Sequence, residues 1–473
     1  MDRRVHLPVV EGRPQGRWNH QSRDDAPAPK WAIWELTLAC DQKCAHCGPR
    51  AGKRRPGELT TQEALRVVDE LAELGVGEVV LIGGEAYLRG DVTTIVRAIR
   101  AHGMRCTMTT GGLNLDARRA KALVEAGVGS ITVSIDGLQE NHDRVRGVPG
   151  SWDRAFAAIG HIKAAGGKVA CNSQINALTM PDLLPLLELL AAEGIHSWQL
   201  QITVPHGNAA DHPELIVQPY MFPKLYEVLE RILDRAAELG VRIWPGNNLG
   251  YFGPLEARLR ASQKKHFRGC TAGVTTLGIE SDGSIKNCPS LGGPNNTGGN
   301  VREHSIRDLW ERTYELGYIR RRTREDLWGF CGDCYYADTC MAGCTAAAEP
   351  LMGRPGNNPF CFHRAATLAE QGLRERIEQI SGASGKGFDN GLWQIVVEPL
   401  DPRRRAAEGP VAIVRPRTSR AVDPTGPGRE LVAGGIAEVL DQRTTPAWPK
   451  LRSSATPAAG KHTPLASGVA AQT

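Results

Sequence analysis

Three closely spaced cysteines directly after a strand-like run constrain this chain most. The apolar run Ile33–Leu38 is followed by Cys40, Cys44 and Cys47. Thiolates this close together on one loop can hold three corners of a metal cluster. A [4Fe–4S] cubane has four irons, so one iron is left without a protein thiolate and can take a substrate or cofactor, as catalytic metal sites do. Two simpler interpretations stay open at this point, a zinc site completed by His46 and three unrelated cysteines.

Length and composition are those of an ordinary globular protein. The 473 residues are enough for two or three domains of about 150 residues each. Apolar runs fall short of the ~18–20 residues that span a membrane, and the N-terminus lacks the apolar core of a secretory signal. We therefore predict a cytoplasmic protein without membrane contact, whose twelve cysteines serve metal binding or catalysis rather than disulfides. The net charge of +5 and the scattered arginines predict no nucleic-acid partner.

Short apolar runs alternate with longer amphipathic ones from Ile33 to about Ile243. Strands are predicted at Ile33–Leu38, Glu78–Ile82, Arg105–Thr109, Ser130–Ile135, Lys168–Ile175 and Ser197–Ile202. Helices are predicted at Thr61–Glu73, Val92–Ala101, Ala117–Glu125, Trp152–Ala164, Pro181–Ala192 and Phe222–Glu238. Six βα units indicate an α/β fold with a parallel sheet and outer helices, and periodicity leaves an open sheet and a partial barrel as alternatives. Either way ligands bind at the carboxyl ends of the strands, where the first cysteines lie.

Two helix starts carry capping residues. Thr60 with Glu63 is typical of a helix N-terminus, and Asp182 is expected to cap the helix that begins near Leu183.

A second, cysteine-rich part begins near Leu255. Its seven cysteines are Cys270, Cys288, Cys331, Cys334, Cys340, Cys344 and Cys361. The pair Asp282-Gly283 predicts a hairpin between Thr275–Ile279 and Ser284–Asn287. Four of the cysteines fall within fourteen residues, which is metal spacing. Seven thiolates are too many for one tetrahedral site and one fewer than two complete four-cysteine sites need. A structural zinc ribbon is the simpler alternative.

The C-terminal part is less patterned. A helical stretch is predicted at His363–Ile380 and a strand or docking segment at Phe388–Val397. Residues 401–473 are rich in Arg, Pro, Ala, Ser and Thr, and we expect them to be mostly disordered, with a short helix within Glu430–Leu440. Cys106 and Cys171, in earlier apolar runs, are expected to be packed core thiols.

Further candidate site residues lie at the ends of two other strands, at the same edge of the sheet. They are Gly83, Gly84 and Glu85 after the second strand, and Ser134, Asp136 and Arg146 at and after the fourth. The glycines would let the backbone approach a ligand closely. Asp136 can accept from a hydroxyl pair such as a ribose, and Arg146 can clamp a carboxylate. Each of these alone is equally typical of a plain turn or a surface arginine. Tyr87 and Tyr251 are further candidates near the mouth of the site.

Taken together, these motifs resemble the radical S-adenosylmethionine (SAM) superfamily, and within it the enzymes with a SPASM domain. The resemblance covers residues ~30–380. Cys40, Cys44 and Cys47 are similar to the cluster motif, and Gly83-Gly84-Glu85 to the motif that contacts the SAM amino group. Ser134 and Asp136 resemble residues on the ribose side, and Arg146 resembles the arginine near the SAM carboxylate.

The resemblance implies a partial (β/α)6 barrel followed by a small cysteine-rich SPASM domain. It implies that SAM chelates the open iron, that an electron cleaves it to a 5′-deoxyadenosyl radical, and that the radical takes hydrogen from the substrate. It also implies three [4Fe–4S] clusters. By the family's ligand order, Cys331, Cys334, Cys340 and Cys361 bind one auxiliary cluster, and Cys270, Cys288 and Cys344 bind the other. The last set leaves one place for water, a non-cysteine side chain or the substrate.

SPASM enzymes mostly act on peptides, so a peptide maturase is the first functional prediction. A sulfatase-maturase-like oxidoreductase acting on a protein side chain is disfavoured, because Pro289 follows Cys288 where that branch carries an Asp. An oxidoreductase acting on a small molecule and a non-catalytic metal-binding scaffold complete the alternatives. The catalytic acid or base is unknown. We expect an electron donor such as flavodoxin or ferredoxin, and any leader peptide is expected to be recognised by the barrel, the auxiliary domain or a separate protein.

These inferences predict four segments. They are an N-terminal arm (1–30), the barrel (31–255), the SPASM domain (256–382) and an extension (383–473) that is largely disordered after 401.

Overall fold

The computed structural model describes residues 28–263, 266–415, 421–422 and 430–431. Its first half alternates strands and helices. The elements are β1 (Trp31–Thr37), α1 (Thr61–Glu73), β2 (Glu78–Gly83), α2 (Val92–Ala101), β3 (Arg105–Thr110), α3 (Ala117–Ala126), β4 (Ser130–Ser134), α4 (Gln139–Arg146), α5 (Ser151–Ala164), β5 (Val169–Ile175), α6 (Leu183–Ala192), β6 (Ser197–Ile202), α7 (Phe222–Leu239) and β7 (Arg242–Pro245). The six predicted strands and six predicted helices are confirmed to within two residues at each end.

The strands β1 to β7 pair in chain order and in parallel, with the helices between them. On its other side β1 pairs with β8 (Thr276–Ile279). The strand β7 pairs with β6 and forms one edge of the sheet. The sheet is therefore a parallel barrel that stays open between its two sides. All its carboxyl-end loops meet at one mouth, which is where parallel-strand enzymes bind ligands.

The second half is built of short elements. They are α8 (Glu256–Leu259), β8, β9 (Ser284–Lys286), β10 (Thr297–Asn300), α9 (Ile306–Arg312), α10 (Tyr314–Arg321), α11 (Phe330–Asp333), α12 (Ala337–Cys340), α13 (Thr345–Met352), α14 (Phe362–Glu370), β11 (Leu373–Ser381), β12 (Leu392–Pro399), α15 (Pro402–Glu408), β13 (Ala412–Val414), β14 (Ala421–Val422) and β15 (Glu430–Leu431). The predicted hairpin is confirmed as β8 and β9, and Gly283 turns it at φ +88°. Because β8 lies parallel to β1, the hairpin and β10 extend the barrel sheet to ten strands.

The predicted helix His363–Ile380 is only half right. The helix α14 ends at Glu370, and Gly372 at φ +69° leads into strand β11. Leu373, Glu375 and Ile377 are buried and the residues between them are less so, which is the two-residue period of a strand. The predicted segment Phe388–Val397 becomes strand β12 from Leu392 onward.

The tail predicted to be disordered contains order near its start. Helix α15 and strand β13 lie within residues 401–415, and β13 pairs with β12. The helix predicted at Glu430–Leu440 is wrong at its first two residues, which form β15 against β14. Residues 432–440 and most of the remaining tail lie outside the described residues, as does nearly all of the predicted arm 1–30.

The two predicted helix caps have different outcomes. The hydroxyl of Thr60 accepts from the Glu63 backbone N–H, and the Glu63 carboxylate accepts from the Thr60 backbone N–H, which is a complete capping box. The cap predicted at Asp182 is wrong. Asp182 stands at the N-cap position, but its Oδ2 accepts from Leu138 N at 2.9 Å and Asn141 Nδ2 at 2.8 Å, at the start of α4.

One hydrophobic core holds the barrel together. Trp34 and Leu36 of β1 are fully buried, as are Val68 and Leu71 of α1. Each such side chain stabilises the fold by about 1.5–3 kcal/mol relative to an exposed one. Across the described residues, every helix is too short or too polar to cross a membrane.

Candidate functional site

The loop that leaves β1 carries the first three cysteines to the barrel mouth. It is fixed against the end of α4, where Ala45 N donates to Val145 O at 2.7 Å. Gly147 follows α4 at φ +67°, and a Cβ there would lie 2.5 Å from the Lys43 carbonyl oxygen. Glycine at 147 therefore lets helix and cysteine loop touch. Within the loop, Cys47 N donates to Cys44 O at 3.2 Å.

Each of the three sulfurs has at least one N–H donor. Gln42 N lies 3.4 Å from Cys40 Sγ, and Ala51 N lies 3.3 Å from Cys47 Sγ. The Sγ of Cys44 receives Nη1 of Arg146 at 3.8 Å. Burial raises the pKa of Cys44 to about 12, so the free thiol is protonated at neutral pH and a bound metal must displace its proton. Three thiols on one loop, each with an N–H group pointing at its sulfur, fit the ligands of a cluster.

The glycines before Glu85 pack backbone against backbone. A Cβ on Gly83 would collide with the Thr37 carbonyl oxygen, and one on Gly84 would collide with that of Ala39. Glu85 N donates to Ala39 O at 2.7 Å. These glycines therefore let the second loop pack onto the cysteine loop, and the predicted approach of their backbone to a ligand stays a prediction.

Glu85 is buried beside the first cysteine with two donors of its own. Thr110 Oγ1 donates to Oε2 at 2.5 Å, and Gly111 N donates to Oε1 at 2.6 Å. Burial, reinforced by the nearby Asp41 carboxylate, raises the pKa of Glu85 to about 8. Oxygens of Glu85 and Asp41 and the sulfur of Cys40 lie within 4.8 Å of one another. Such a group attracts a cation.

Asp41 is a site residue that the sequence interpretation missed. Its Oδ2 accepts from Tyr87 Oη at 2.5 Å and from Asn114 Nδ2 at 2.9 Å. Its Oδ1 is buried and has no hydrogen-bond partner. An orphaned carboxylate oxygen next to Glu85 fits an N–H donor of a bound ligand. The available signal was an Asp inside the cysteine motif with Tyr87 close behind the glycine loop.

Asp136 joins the cysteine loop to β4 and α4. Its Oδ2 lies 2.9 Å from His46 Nε2 and 2.8 Å from Arg146 Nε, and its Oδ1 accepts from Gln174 N at 2.9 Å. The side chain is fully buried. Burial acts to raise the pKa of Asp136, but Arg146 and His46 outweigh it and hold that pKa well below its usual range. His46, considered above as a fourth ligand of a zinc site, is thus a hydrogen-bond partner of Asp136 within the site.

Ser134 lies two residues earlier and faces a different neighbour. It pairs in register with Asn172 of β5, and both side chains are buried at the carboxyl end of the sheet. The Asn172 Oδ1 has no partner. The structure therefore places Ser134 at the carboxyl end of β4, the edge of the sheet where the sequence predicts the site.

The seven later cysteines fall into two neighbourhoods. Burial is the largest cause that raises the pKa of each of these thiols. The neighbouring charges that also raise it come from Cys270 and Cys288 for Cys344, and from Cys331 and Cys334 for Cys361. The pKa of Cys340 is raised by burial and by the charges of Cys361, Cys331 and Cys334. The groups are Cys270, Cys288 and Cys344 on one side and Cys331, Cys334, Cys340 and Cys361 on the other.

The four-cysteine group lines a mostly apolar cavity together with Tyr251, Phe252 and Phe330. A fully buried cation lies against it, since Arg364 forms a double 2.7 Å hydrogen bond with Glu375 and its charge acts on Cys331 and Cys361. That charge offsets part of the charge of four thiolates. Tyr251 lies between the groups, and its hydroxyl accepts from Cys344 N at 3.0 Å.

The three-cysteine group has no fourth cysteine. All twelve cysteines lie in the described residues, and the two that remain, Cys106 of β3 and Cys171 of β5, are buried in the barrel core as predicted. The half-buried carboxyl of Glu349 is one of the charges that act on Cys288, and it accepts from Asn296 Nδ2 at 3.1 Å.

Comparison with known proteins agrees with this arrangement. Residues 34–185 match the Radical SAM superfamily, and residues 270–335 match the SPASM iron–sulfur cluster-binding domain. An AdoMet-dependent heme synthase of Methanosarcina barkeri is 30% identical over 354 residues, 71% of this chain and 97% of that protein. The mycofactocin maturase MftC of Mycolicibacterium smegmatis is 28% identical over 409 residues, 84% of this chain and 99% of that protein.

Solved structures share the fold. Streptococcus suis SuiB bound to S-adenosylmethionine superposes with a TM-score of 0.54 at 19% identity, over 71% of this chain and 76% of that chain. SuiB bound to the precursor peptide SuiA gives 0.54 at 18% identity, over 67% of this chain and 72% of that chain.

An open parallel barrel with a three-cysteine loop at its mouth and a cysteine-rich region behind it defines a class of iron–sulfur enzymes. This chain belongs to the radical SAM superfamily and carries a SPASM domain. It is therefore an enzyme that uses SAM and iron–sulfur clusters, rather than a non-catalytic scaffold.

Proposed function

We propose that this enzyme binds SAM at a [4Fe–4S] cluster held by Cys40, Cys44 and Cys47 and modifies a peptide substrate. When bound, the cluster and SAM supply a 5′-deoxyadenosyl radical that removes a hydrogen atom from the substrate. The chain's own residues bind these groups, orient them and keep water out. The support for the site is chemical, because three thiols, one of them buried and each with an N–H donor, lie at a mouth lined with unpaired polar atoms.

Two carboxyls serve the amino group of SAM in this proposal. Glu85 and the orphaned Oδ1 of Asp41 lie beside Cys40, so an amino group that binds there donates to both. Arg146 keeps N–H groups free beyond those used by Asp136 and Cys44 and offers them to the SAM carboxylate.

The ribose side of SAM is assigned to β4 and β5. Ser134 and the unpaired Oδ1 of Asn172 offer it a donor and an acceptor. Asp136 is enclosed by its three donors, so we assign it to positioning His46 and Arg146 and not to the ribose.

Two auxiliary [4Fe–4S] clusters are proposed for the second half. Cys331, Cys334, Cys340 and Cys361 supply a full set of ligands beside Arg364. Cys270, Cys288 and Cys344 supply three, and the fourth place is left to water, a non-cysteine side chain or the substrate. An electron donor such as flavodoxin or ferredoxin is proposed as the source of electrons.

The observation that carries the peptide proposal is the extent of the maturase match. The similarity to mycofactocin maturase covers 84% of this chain, whereas the similarity to the heme synthase covers 71%. A second candidate, modification of a tetrapyrrole, is favoured by the slightly higher identity to the heme synthase, 30% against 28%.

Co-expression tests the peptide proposal. The enzyme is produced with each short peptide encoded beside its gene, and the peptides are analysed by mass spectrometry. A mass change that requires the intact triplet supports the proposal, and the matched control replaces Cys40, Cys44 and Cys47 by Ala. Unchanged peptides, together with a mass change when the purified enzyme is given an iron tetrapyrrole, would select the second candidate.

A further inference from the structure

The connection between β11 and β12 returns to the barrel mouth. We call its residues 386–390 the clasp. Phe388 N donates to Gly48 O at 2.8 Å, and Gly48 directly follows the last cysteine of the triplet. Asp389 O accepts from Gly207 N at 2.6 Å, in the loop that follows β6. The clasp is thus tied by its backbone to the loop of β1 and to the loop of β6.

Arg50 strengthens both attachments. Its Nη2 lies 3.0 Å from Asp389 Oδ1, and its Nη1 lies 2.8 Å from Asn208 Oδ1 and contacts Asp211. Its Nε also donates to Lys386 O at 3.1 Å. One guanidinium therefore joins the cysteine loop, the loop of β6 and the clasp, and its multiple charge-assisted bonds favour one rigid arrangement.

The ring of Phe388 contacts residues from both sides of the open barrel. It stacks on His206 from the β6 side at 6.0 Å between centroids. From the β9 side, Lys286 Nζ lies 4.0 Å above the ring, although that lysine is only 1% exposed. Gly292 makes room for the residue, since a Cβ at 292 would lie 2.5 Å from the Phe388 Cβ.

The backbone conformation of Phe388 indicates that its surroundings hold it in this position. Its φ is +58°, a left-handed conformation that a bulky residue adopts only when its surroundings hold it there. The hydrogen bonds of its neighbours and the ring contacts on both faces supply that constraint.

We propose that the clasp closes the side of the barrel next to Cys47, so that a substrate reaches the site only through the mouth, as a free chain end or a compact molecule. Phe388 is the residue that sets this limit. An extended chain cannot lie across the gap while the ring and the Arg50 network occupy it. For a peptide substrate, the inference rests on the proposed function and restricts it to a free peptide terminus.

Access to the first cluster tests the clasp without any substrate. The reconstituted enzyme is mixed with the iron chelator bathophenanthroline disulfonate, and iron loss is followed over time. Iron loss is compared with that of the variant in which Cys40, Cys44 and Cys47 are replaced by Ala. The kinetic phase of iron loss that this variant lacks reports on the first cluster. Phe388→Gly keeps a backbone that accepts φ +58°, and Asp389→Asn keeps the shape while removing the charge that faces Arg50.

Both variants are expected to lose that iron roughly ten-fold faster than the wild type, because local opening becomes easier. Ile380→Ala, at an exposed position of β11, is the matched control and should behave as wild type. Equal iron content at the start shows that each variant has folded. Equal rates of iron loss in wild type, Phe388→Gly and Asp389→Asn would overturn the proposal.

A second test uses the peptide identified by co-expression, in a free form and in a form with a folded protein fused at each end. The wild-type enzyme should modify the free form and leave the doubly fused form unchanged. Modification of both forms at similar rates would contradict entry through the mouth. If co-expression identifies no modified peptide, the peptide function itself is wrong, and the rate of iron loss alone decides whether the clasp closes the barrel.

Discussion

At the scale of single residues, Asp136 decides whether the cysteine loop keeps its place. It is fully buried and takes hydrogen bonds or ion pairs from His46, Arg146 and Gln174. Arg146 in turn reaches the sulfur of Cys44. A chain of ion pairs and hydrogen bonds therefore connects Asp136, at the end of β4, through Arg146 to Cys44, a proposed cluster ligand. Loss of the Asp136 carboxylate would leave the buried Arg146 cation without its counter-ion.

We expect Asp136→Ala to destabilise the protein by about 3–5 kcal/mol, because it leaves Arg146 buried without its counter-ion. Denaturant unfolding of the apo-protein measures this, and iron per chain should fall with it. Asp69→Ala is the matched control, since Asp69 pairs with His102 at the surface and should contribute under 1 kcal/mol. Equal losses in the two variants would contradict the role assigned to Asp136.

Asp41 and Tyr87 provide a second prediction at this scale. Asp41→Asn and Tyr87→Phe should each weaken SAM binding by roughly ten-fold, because one removes a charged acceptor and the other the group that orients it. Iron per chain should stay at the wild-type level. The readout is the change that SAM causes in the electron paramagnetic resonance spectrum of the reduced cluster. An unchanged titration midpoint in Asp41→Asn would remove Asp41 from the site, and Tyr314→Phe, at an exposed tyrosine, is the control.

At the scale of elements, helix α1 connects the barrel to the auxiliary region. Glu63 closes the capping box of α1 and also pairs with Arg302, which follows β10, with Nε 2.6 Å from Oε1. The hydrogen bonds from Arg302 and Thr60 hold the pKa of Glu63 down, at about 2. A carboxylate with a lowered pKa adds stability above its unfolded pKa and loses that stability as the pH falls toward the folded value.

Glu63→Gln should therefore cost about 1 kcal/mol at pH 7, through the lost cap and the weakened ion pair. The difference from wild type should shrink as the pH falls from about 5 to about 2, because the wild-type carboxylate is protonated over that range. Chemical unfolding of the apo-protein at several pH values measures this. A difference that grows with acid would contradict the assignment.

Several elements were predictable because local sequence decides them. The barrel strands and helices follow from the alternation of short apolar runs with longer amphipathic ones, and the hairpin at Gly283 follows from its turn residues. The stretch after Gly372 was predicted as helix and is strand β11, since its alternating burial exists only once β12 lies beside it. Pairing partners that come from later in the chain override local preference.

At the scale of the whole molecule, the cysteine motifs were visible in the sequence and their surroundings were not. The spacing of the triplet and of the later cysteines already suggested clusters. The function of Gly83 and Gly84 as docking residues depends on β1, and the partners of Asp136 come from α4 and the cysteine loop. The clasp is more than three hundred residues from Gly48 in sequence, and no local pattern connects the two.

The iron content and SAM cleavage of the anaerobically reconstituted enzyme test the central claim most directly. Three [4Fe–4S] clusters predict about twelve irons per chain in the wild type and about eight in the Cys40, Cys44 and Cys47 triple alanine variant. After reduction with SAM, the wild type should form 5′-deoxyadenosine and the triple variant should form none. An iron-loaded wild type that forms no 5′-deoxyadenosine, or a triple variant that forms as much as the wild type, would contradict the account.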